Sequence, residues 1–230
     1  MPPIGKPKTG TIVLIHGLWM TPRSWERWSD RYTASGHRVL APAWPGLERE
    51  VEELQRDPSS IAGAGVAIDS APVKGVLPVP LSTLRSAWPV LGNPANKNKT
   101  VGLTARQFHH AFTNTLSHEE SQAVYDRYHV PGSARVLFQG AFANFNPRAT
   151  TRVDFRNNSR APLLFIAGGA DRIVPPKVNK ANVRLYRKSS AITDYHEFPD
   201  RSHYTVGLDG WEDVADFALA WAVHNSQVHA

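Results

Sequence analysis

The sequence predicts a mostly parallel α/β sheet with helices on both faces and a helical lid. Three observations carry this reading. Short, uncharged apolar runs recur along the chain, amphipathic helical stretches separate them, and the middle of the sequence changes to proline- and aromatic-rich helical texture. Strands joined through helices are connected by crossovers, and crossovers place neighbouring strands parallel.

The first run, Thr11 to Ile15, contains four β-branched residues (Thr11, Ile12, Val13, Ile15) and reads as a strand buried on both faces that breaks into a turn at His16-Gly17. Glycine there predicts a close backbone approach. Thr21 can cap a helix with Pro22 at its first position, and Trp25, Trp28 and Tyr32 share one face before Gly36 ends it. A second strand, Arg38 to Ala41, runs into a proline-rich loop where Trp44 can line a pocket. Leu47 to Arg56 is a charged helical stretch stopped by Asp57-Pro58, Ser59 to Gly63 is loop-like, and Ala64 to Ile68 is a third strand ending at Asp69-Ser70-Ala71-Pro72.

From Lys74 to Ser159 prolines are followed by helical stretches around Leu81 to Leu91, Leu103 to Thr115 and Glu119 to His129. This is the lid, residues 74–159, inserted into a core formed by residues 1–73 and 160–230. Most of its aromatics, Phe108, Phe112 and Tyr125 among them, read as packing residues. Strands resume at Pro162 to Ala167, a helix follows around Val178 to Lys188, Ile192 to Phe198 is the last strand, and Trp211 to His224 is a closing amphipathic helix.

Composition narrows the function classes. The 230 residues are 41% hydrophobic, enough to bury a core. Without cysteine there is no disulfide framework, thiol nucleophile or thiolate metal site. The formal charge of +6 comes from basic residues scattered among acids, which speaks against nucleic acid as a partner. The N-terminal residues lack a signal-peptide run and no segment reaches membrane-spanning length, so a cytoplasmic protein with no membrane partner is expected. His109, His110 and His118 lack zinc-type spacing and read as solvated lid histidines, no glycine-rich phosphate loop follows a strand, and neither metal nor cofactor is expected.

The chemistry sits at strand ends. Open α/β sheets bind ligands at the carboxyl edge of the strands, which makes Gly17, Leu18 and Trp19 candidates. Asp171, in G-G-A-D-R-I-V-P, and His203, in R-S-H-Y-T, follow two successive strands and project from one edge of the sheet. A carboxylate there can fix the tautomer of an imidazole that moves protons.

In these pieces the chain resembles the α/β-hydrolase family: H-G-L-W at 16 to 19, G-G-A-D-R-I-V-P at 168 to 175, S-H-Y-T at 202 to 205 and the closing helix. The resemblance implies an α/β-hydrolase-type sheet, the Leu18 backbone N–H as an oxyanion donor beside Gly17, Asp171 as acid, His203 as general base and His16 as a turn residue. It also implies small, largely apolar esters or similar acyl compounds as substrates, entering under the aromatic lid into a pocket with Trp19 and Trp44. The family's nucleophile needs small residues two positions to either side, and none of the sixteen serines has them. Only Asp57 to Gly63 separates the helical stretch 47–56 from the third strand, so a strand-helix unit of roughly forty residues, the central nucleophile strand included, is missing from the family pattern. Loss of a serine nucleophile costs about 10⁶ in turnover. Asp69, with Ala67 and Ala71 at the flanking positions, and Ser70 are the replacement candidates, Asp69 in the manner of relatives that open epoxides or carbon–halogen bonds. Pro72 opposes an immediate helix behind them. The opposing class is a non-catalytic, truncated copy that binds a small ligand.

Overall fold

The computed structural model describes residues 10–17, 20–42, 64–77, 79–149 and 151–226. Leu18, Trp19, Trp44, the helical stretch 47–56 and the loop 59–63 lie outside these residues. The chain divides into two compact units, one ending at Ala62 and one beginning at Gly63.

In the first unit β1 (Thr11–Val13) pairs in parallel with β2 (Arg38–Leu40), Thr11 facing Arg38. Between them a 3₁₀ turn (Pro22–Trp25) leads into α1 (Glu26–Ala34). The Thr21 side chain accepts the Arg23 N–H at 3.3 Å, and Trp25, Trp28 and Tyr32 pack edge to face in succession. Gly36, at φ 86°, follows the helix in the left-handed conformation that glycine adopts without strain. Two expectations are corrected here. Strand β1 stops at Val13, half-buried, because Ile15 is 63% exposed and cannot sit between two helical layers. Among the described residues a Cβ built on Gly17 would meet nothing within 4 Å, so none of them accounts for that glycine by close approach.

The second unit is built on a three-stranded parallel sheet in the order β3-β6-β7: β3 (Gly65–Ile68), β6 (Leu163–Gly168) and β7 (Thr193–Phe198). Central β6 is apolar along its length and buried from Leu164 onward, as a strand covered on both faces must be. Helix α6 (Pro176–Leu185) has proline at its first turn and is followed by a 3₁₀ turn, so the stretch predicted to Lys188 divides in two. Val174 and Val178 pack with Val76 into a core cluster around which Ile173 and Leu185 close. The closing helix α7 (Trp211–Ser226) buries Trp211, Val214, Ala215 and Ala218.

Residues 74–159 lie wholly in the second unit, with β6 and β7. Their helices are α2 (Leu81–Leu91), α3 (Ala105–Ala111), α4 (His118–Tyr128) and α5 (Ala134–Ala141), with a small antiparallel bridge between β4 (Thr100–Val101) and β5 (Gly132–Ser133). Two full capping boxes, Thr104 with Gln107 and Ser117 with Glu120, start α3 and α4 sharply, later than the predicted Leu103 and earlier than Glu119. Phe108, Phe112 and Phe138 are buried, as packing residues should be, whereas Trp88, Phe142 and Phe145 are exposed. Among the described residues no strand stands between Leu40 and Gly65, and no helix is long and apolar enough to cross a membrane.

Candidate active site

Strands β6 and β7 are parallel neighbours, so the loops that follow them leave the same edge of the sheet. Asp171 follows β6 and His203 follows β7, and the structure brings them together: His203 Nδ1 donates to Asp171 Oδ2 at 2.7 Å. The other carboxylate oxygen, Oδ1, accepts the N–H groups of Ile173 at 2.7 Å and Val174 at 2.9 Å. The acid is thereby fixed from both sides, and its side chain is sealed from solvent while that of His203 remains 18% exposed. A carboxylate can only accept here, which places the proton on Nδ1 and the basic lone pair on Nε2. The arrangement can take a proton from a group that reaches Nε2.

Two glycines make this possible. A Cβ on Gly169 would lie 2.1 Å from Pro199 O, and one on Gly168 would lie 2.5 Å from Arg201 O. Only bare backbone lets the loop carrying His203 cross directly over the acid loop. Residues 112–114 lie against the same edge. The Phe112 ring meets the His203 imidazole edge-on at 4.9 Å, Tyr204 N–H donates to Phe112 O at 3.0 Å, and Asn114 Nδ2 donates to Ala170 O at 3.1 Å.

Asp69 is the third member. It stands one residue beyond β3 at φ 46°, a strained value for a residue with a Cβ. Its Oδ1 accepts Gly168 N–H at 2.7 Å; its Oδ2 is buried without a hydrogen-bond partner among the described residues. Asp69, Asp171 and His203 offer atoms that all lie within 4.8 Å of one another. Burial, reinforced by the Asp171 charge, pushes the Asp69 carboxyl up to about 7. For His203 burial opposes the charged form, but the Asp171 carboxylate, its hydrogen bond and Asp69 outweigh it, and the net direction is upward. The three could ligate a divalent ion only if His203 offered Nε2 or gave up its Asp171 hydrogen bond.

Ser70 is not drawn into this cluster. Its hydroxyl donates to Asn179 Oδ1 on α6 at 3.2 Å. After it residues 71–77 form no helix, as Pro72 requires. In the first unit His16 is buried, with Nδ1 3.0 Å from Gly17 O, and Gly17 is exposed. The cavity of about 530 Å³ in the second unit is lined by residues of 153–156 and 184–188, and includes neither Asp171 nor His203.

No family model matches this chain, and no curated protein matches it. Solved structures do. It superposes on an extracellular α/β-hydrolase from a Paenibacillus species with a TM-score of 0.62 at 17% identity, covering 92% of this chain and 98% of that one. Polyneuridine aldehyde esterase gives 0.58 at 12% identity, over 94% and 100%, and the monoacylglycerol lipase of Paleococcus ferrophilus 0.57 at 20%, over 96% of each. The chain has the α/β-hydrolase fold. Phe112 lies against His203, Arg172 follows Asp171 in the chain, and Arg172 meets His110; none of the three stood out in the sequence as a site residue. Arg172 directly follows Asp171, which was the available signal for it. His109 and His110 are half-buried rather than solvated, and His110 Nδ1 accepts from Arg172 Nη1 at 3.0 Å.

Proposed function

We propose that this protein hydrolyses small esters or similar acyl compounds, with His203 as general base and Asp171 as the residue that orients it. The 2.7 Å contact between them at the sheet edge carries this reading. Nε2 removes a proton from water as the water oxygen bonds to the acyl carbon. When the carbon–oxygen bond to the leaving group breaks, the imidazolium returns that proton to the leaving alkoxide. No serine acyl-enzyme is formed, so turnover is slow. General-base catalysis supplies about 10² to 10⁴ where a full triad adds covalent catalysis.

A second reading is favoured by the strained φ of Asp69 and its place beside the pair. In it Asp69 Oδ2 attacks the substrate carbon, the leaving group departs with its electron pair, and water activated by His203 attacks the Asp69 carbonyl of the intermediate, a mixed anhydride from an acyl substrate or an ester from an epoxide or haloalkane, freeing the product and restoring the carboxylate. One comparison separates the two. Hydrolysis of p-nitrophenyl acetate is measured for the wild type and for His203→Ala, Asp171→Asn and Asp69→Asn. The first reading expects His203→Ala to lose all but background, Asp171→Asn to lose about 10² or more, and Asp69→Asn to remain active. If Asp69→Asn is as inactive as His203→Ala, and single turnovers in ¹⁸O-water label an Asp69 peptide, Asp69 is the nucleophile. Wild-type rates equal to those of His203→Ala would show a protein that does not hydrolyse this ester.

A further inference from the structure

Where residues 81–111 meet the loop after β6 the surface is cationic, and among the described residues it carries no neutralising carboxylate. Arg172 follows Asp171, and the backbone carbonyls of Arg172 and Ile173 are held by Ser86 and Thr83 of α2 at 3.4 and 2.8 Å. Arg172 Nη1 donates to His110 Nδ1 at 3.0 Å, which leaves His110 with its proton on Nε2. Among the described residues that Nε2 is buried without an acceptor, and the neighbouring His109 Nδ1 is buried without a partner. The His109 ring lies 4.3 Å from the ring of His118. Both His109 and His110 are held below the usual imidazole range, by burial first. The next causes are neighbouring basic groups: His118 and Arg172 for His109, and Arg85, Arg172 and His109 for His110. Among the described residues neither Arg85 nor Arg172 has a carboxylate within salt-bridge distance. The acids that follow His110 in the chain do not serve, and Asp171, beside Arg172, is turned to His203. Glu120 is turned back onto Ser117 in its capping box, and Glu119 stands exposed at the start of α4.

Positive charge gathered on a partly dry surface, with a buried N–H facing no acceptor, is the complement of an anionic oxygen group. We propose that Arg172, Arg85 and His110 form a subsite for a carboxylate or phosphate group of the substrate, beside the Asp171–His203 pair. The proposal rests on reading that pair as the working base, and it refines an apolar ester into one that carries an anion at one end. Arg172 supplies the planar fork that suits such a group. Arg85 is exposed and free to close over it. The anion also supplies the acceptor that His110 lacks.

The test separates binding from catalysis. Uniformly ¹⁵N-labelled full-length protein is titrated with inorganic phosphate and, separately, with acetate, while the His109 and His110 ring resonances are followed. Both ligands, or one alone, should move His110 saturably, and the arm that binds more tightly names the anion's chemistry. Arg172→Gln should weaken binding roughly tenfold or more, and Arg172→Lys should recover part of it. Arg135→Gln, which removes an equal charge from α5, is the control. In parallel, kcat/KM is compared for a neutral p-nitrophenyl ester and its hemisuccinate. The preference for the anionic ester should fall roughly tenfold in Arg172→Gln. Saturable, Arg172-dependent binding without turnover of either ester would uphold the subsite and overturn the hydrolase reading. No shift at His110 with either anion, or equal weakening by Arg135→Gln, would overturn the subsite.

Discussion

At the scale of single residues, the decisive geometry is the donation of His203 Nδ1 to a carboxylate whose second oxygen is already held by two backbone N–H groups. Because the Asp171 and Asp69 carboxylates favour the charged imidazole, His203 titrates above the ordinary value near 6.5. A base must be neutral to act. With His203 as the proposed base, the acid limb of kcat/KM for ester hydrolysis is expected above pH 6.5, and Asp171→Asn should move it to lower pH while reducing the plateau. A limb that stays in place in Asp171→Asn would show that another group limits the rate. The pair was legible from the sequence because each residue ends an apolar run in a short glycine- or proline-marked loop. The Arg172 contact to His110 was not, since it joins residues 62 apart through a helix whose orientation the periodicity does not specify.

At the scale of elements, the site depends on one crossing, where the loop after β7 lies on the two glycines that end β6. The Cβ introduced by Gly169→Ala would lie 2.1 Å from Pro199 O and 2.6 Å from the Pro199 carbonyl carbon and Cα, all backbone atoms that no rotamer change can move away. The loop carrying His203 must shift. The expected cost is about 1–3 kcal/mol, read as a lower urea midpoint at unchanged slope. The downfield proton resonance of the His203–Asp171 hydrogen bond should be lost with it, and a variant that keeps both midpoint and resonance would show that the loops do not need this contact. The apolar runs mark where the strands of the second unit lie, but neither their order nor their lengths. Residue Ile15 has the composition of a strand residue and is exposed, because apolar type records what a residue tolerates and not whether another layer covers it.

At the scale of the whole molecule, the site makes stability depend on pH in one direction. An Asp69 carboxyl raised to about 7 binds its proton in the folded state where an unfolded aspartate, near 4, has lost it. Between those values stability falls as pH rises. The His203 contribution has the same sign: it is complete below about 6.5 and is lost as pH rises through the elevated folded value. Asp69→Asn removes the first term. The stability it gains over the wild type should be larger near pH 8.5 than near pH 5 by on the order of 3 kcal/mol, as an upper figure, read from the urea midpoints. An equal difference at both pH values would show that Asp69 is ionised throughout.

The sequence by itself determined the α/β class, the parallel connections, the strand-end loops that carry Asp171 and His203, and the absence of a small-residue serine elbow. These are local facts, since residue type and spacing decide them within a few turns of chain. Only the tertiary structure decided that Asp69 joins the pair while Ser70 turns to Asn179, that Gly168 and Gly169 are required by a loop some thirty residues away, and that His110 lies against Arg172. Those outcomes depend on which strands become neighbours and how closely their loops cross. Packing fixes such distances among residues remote in sequence, and no local pattern encodes them.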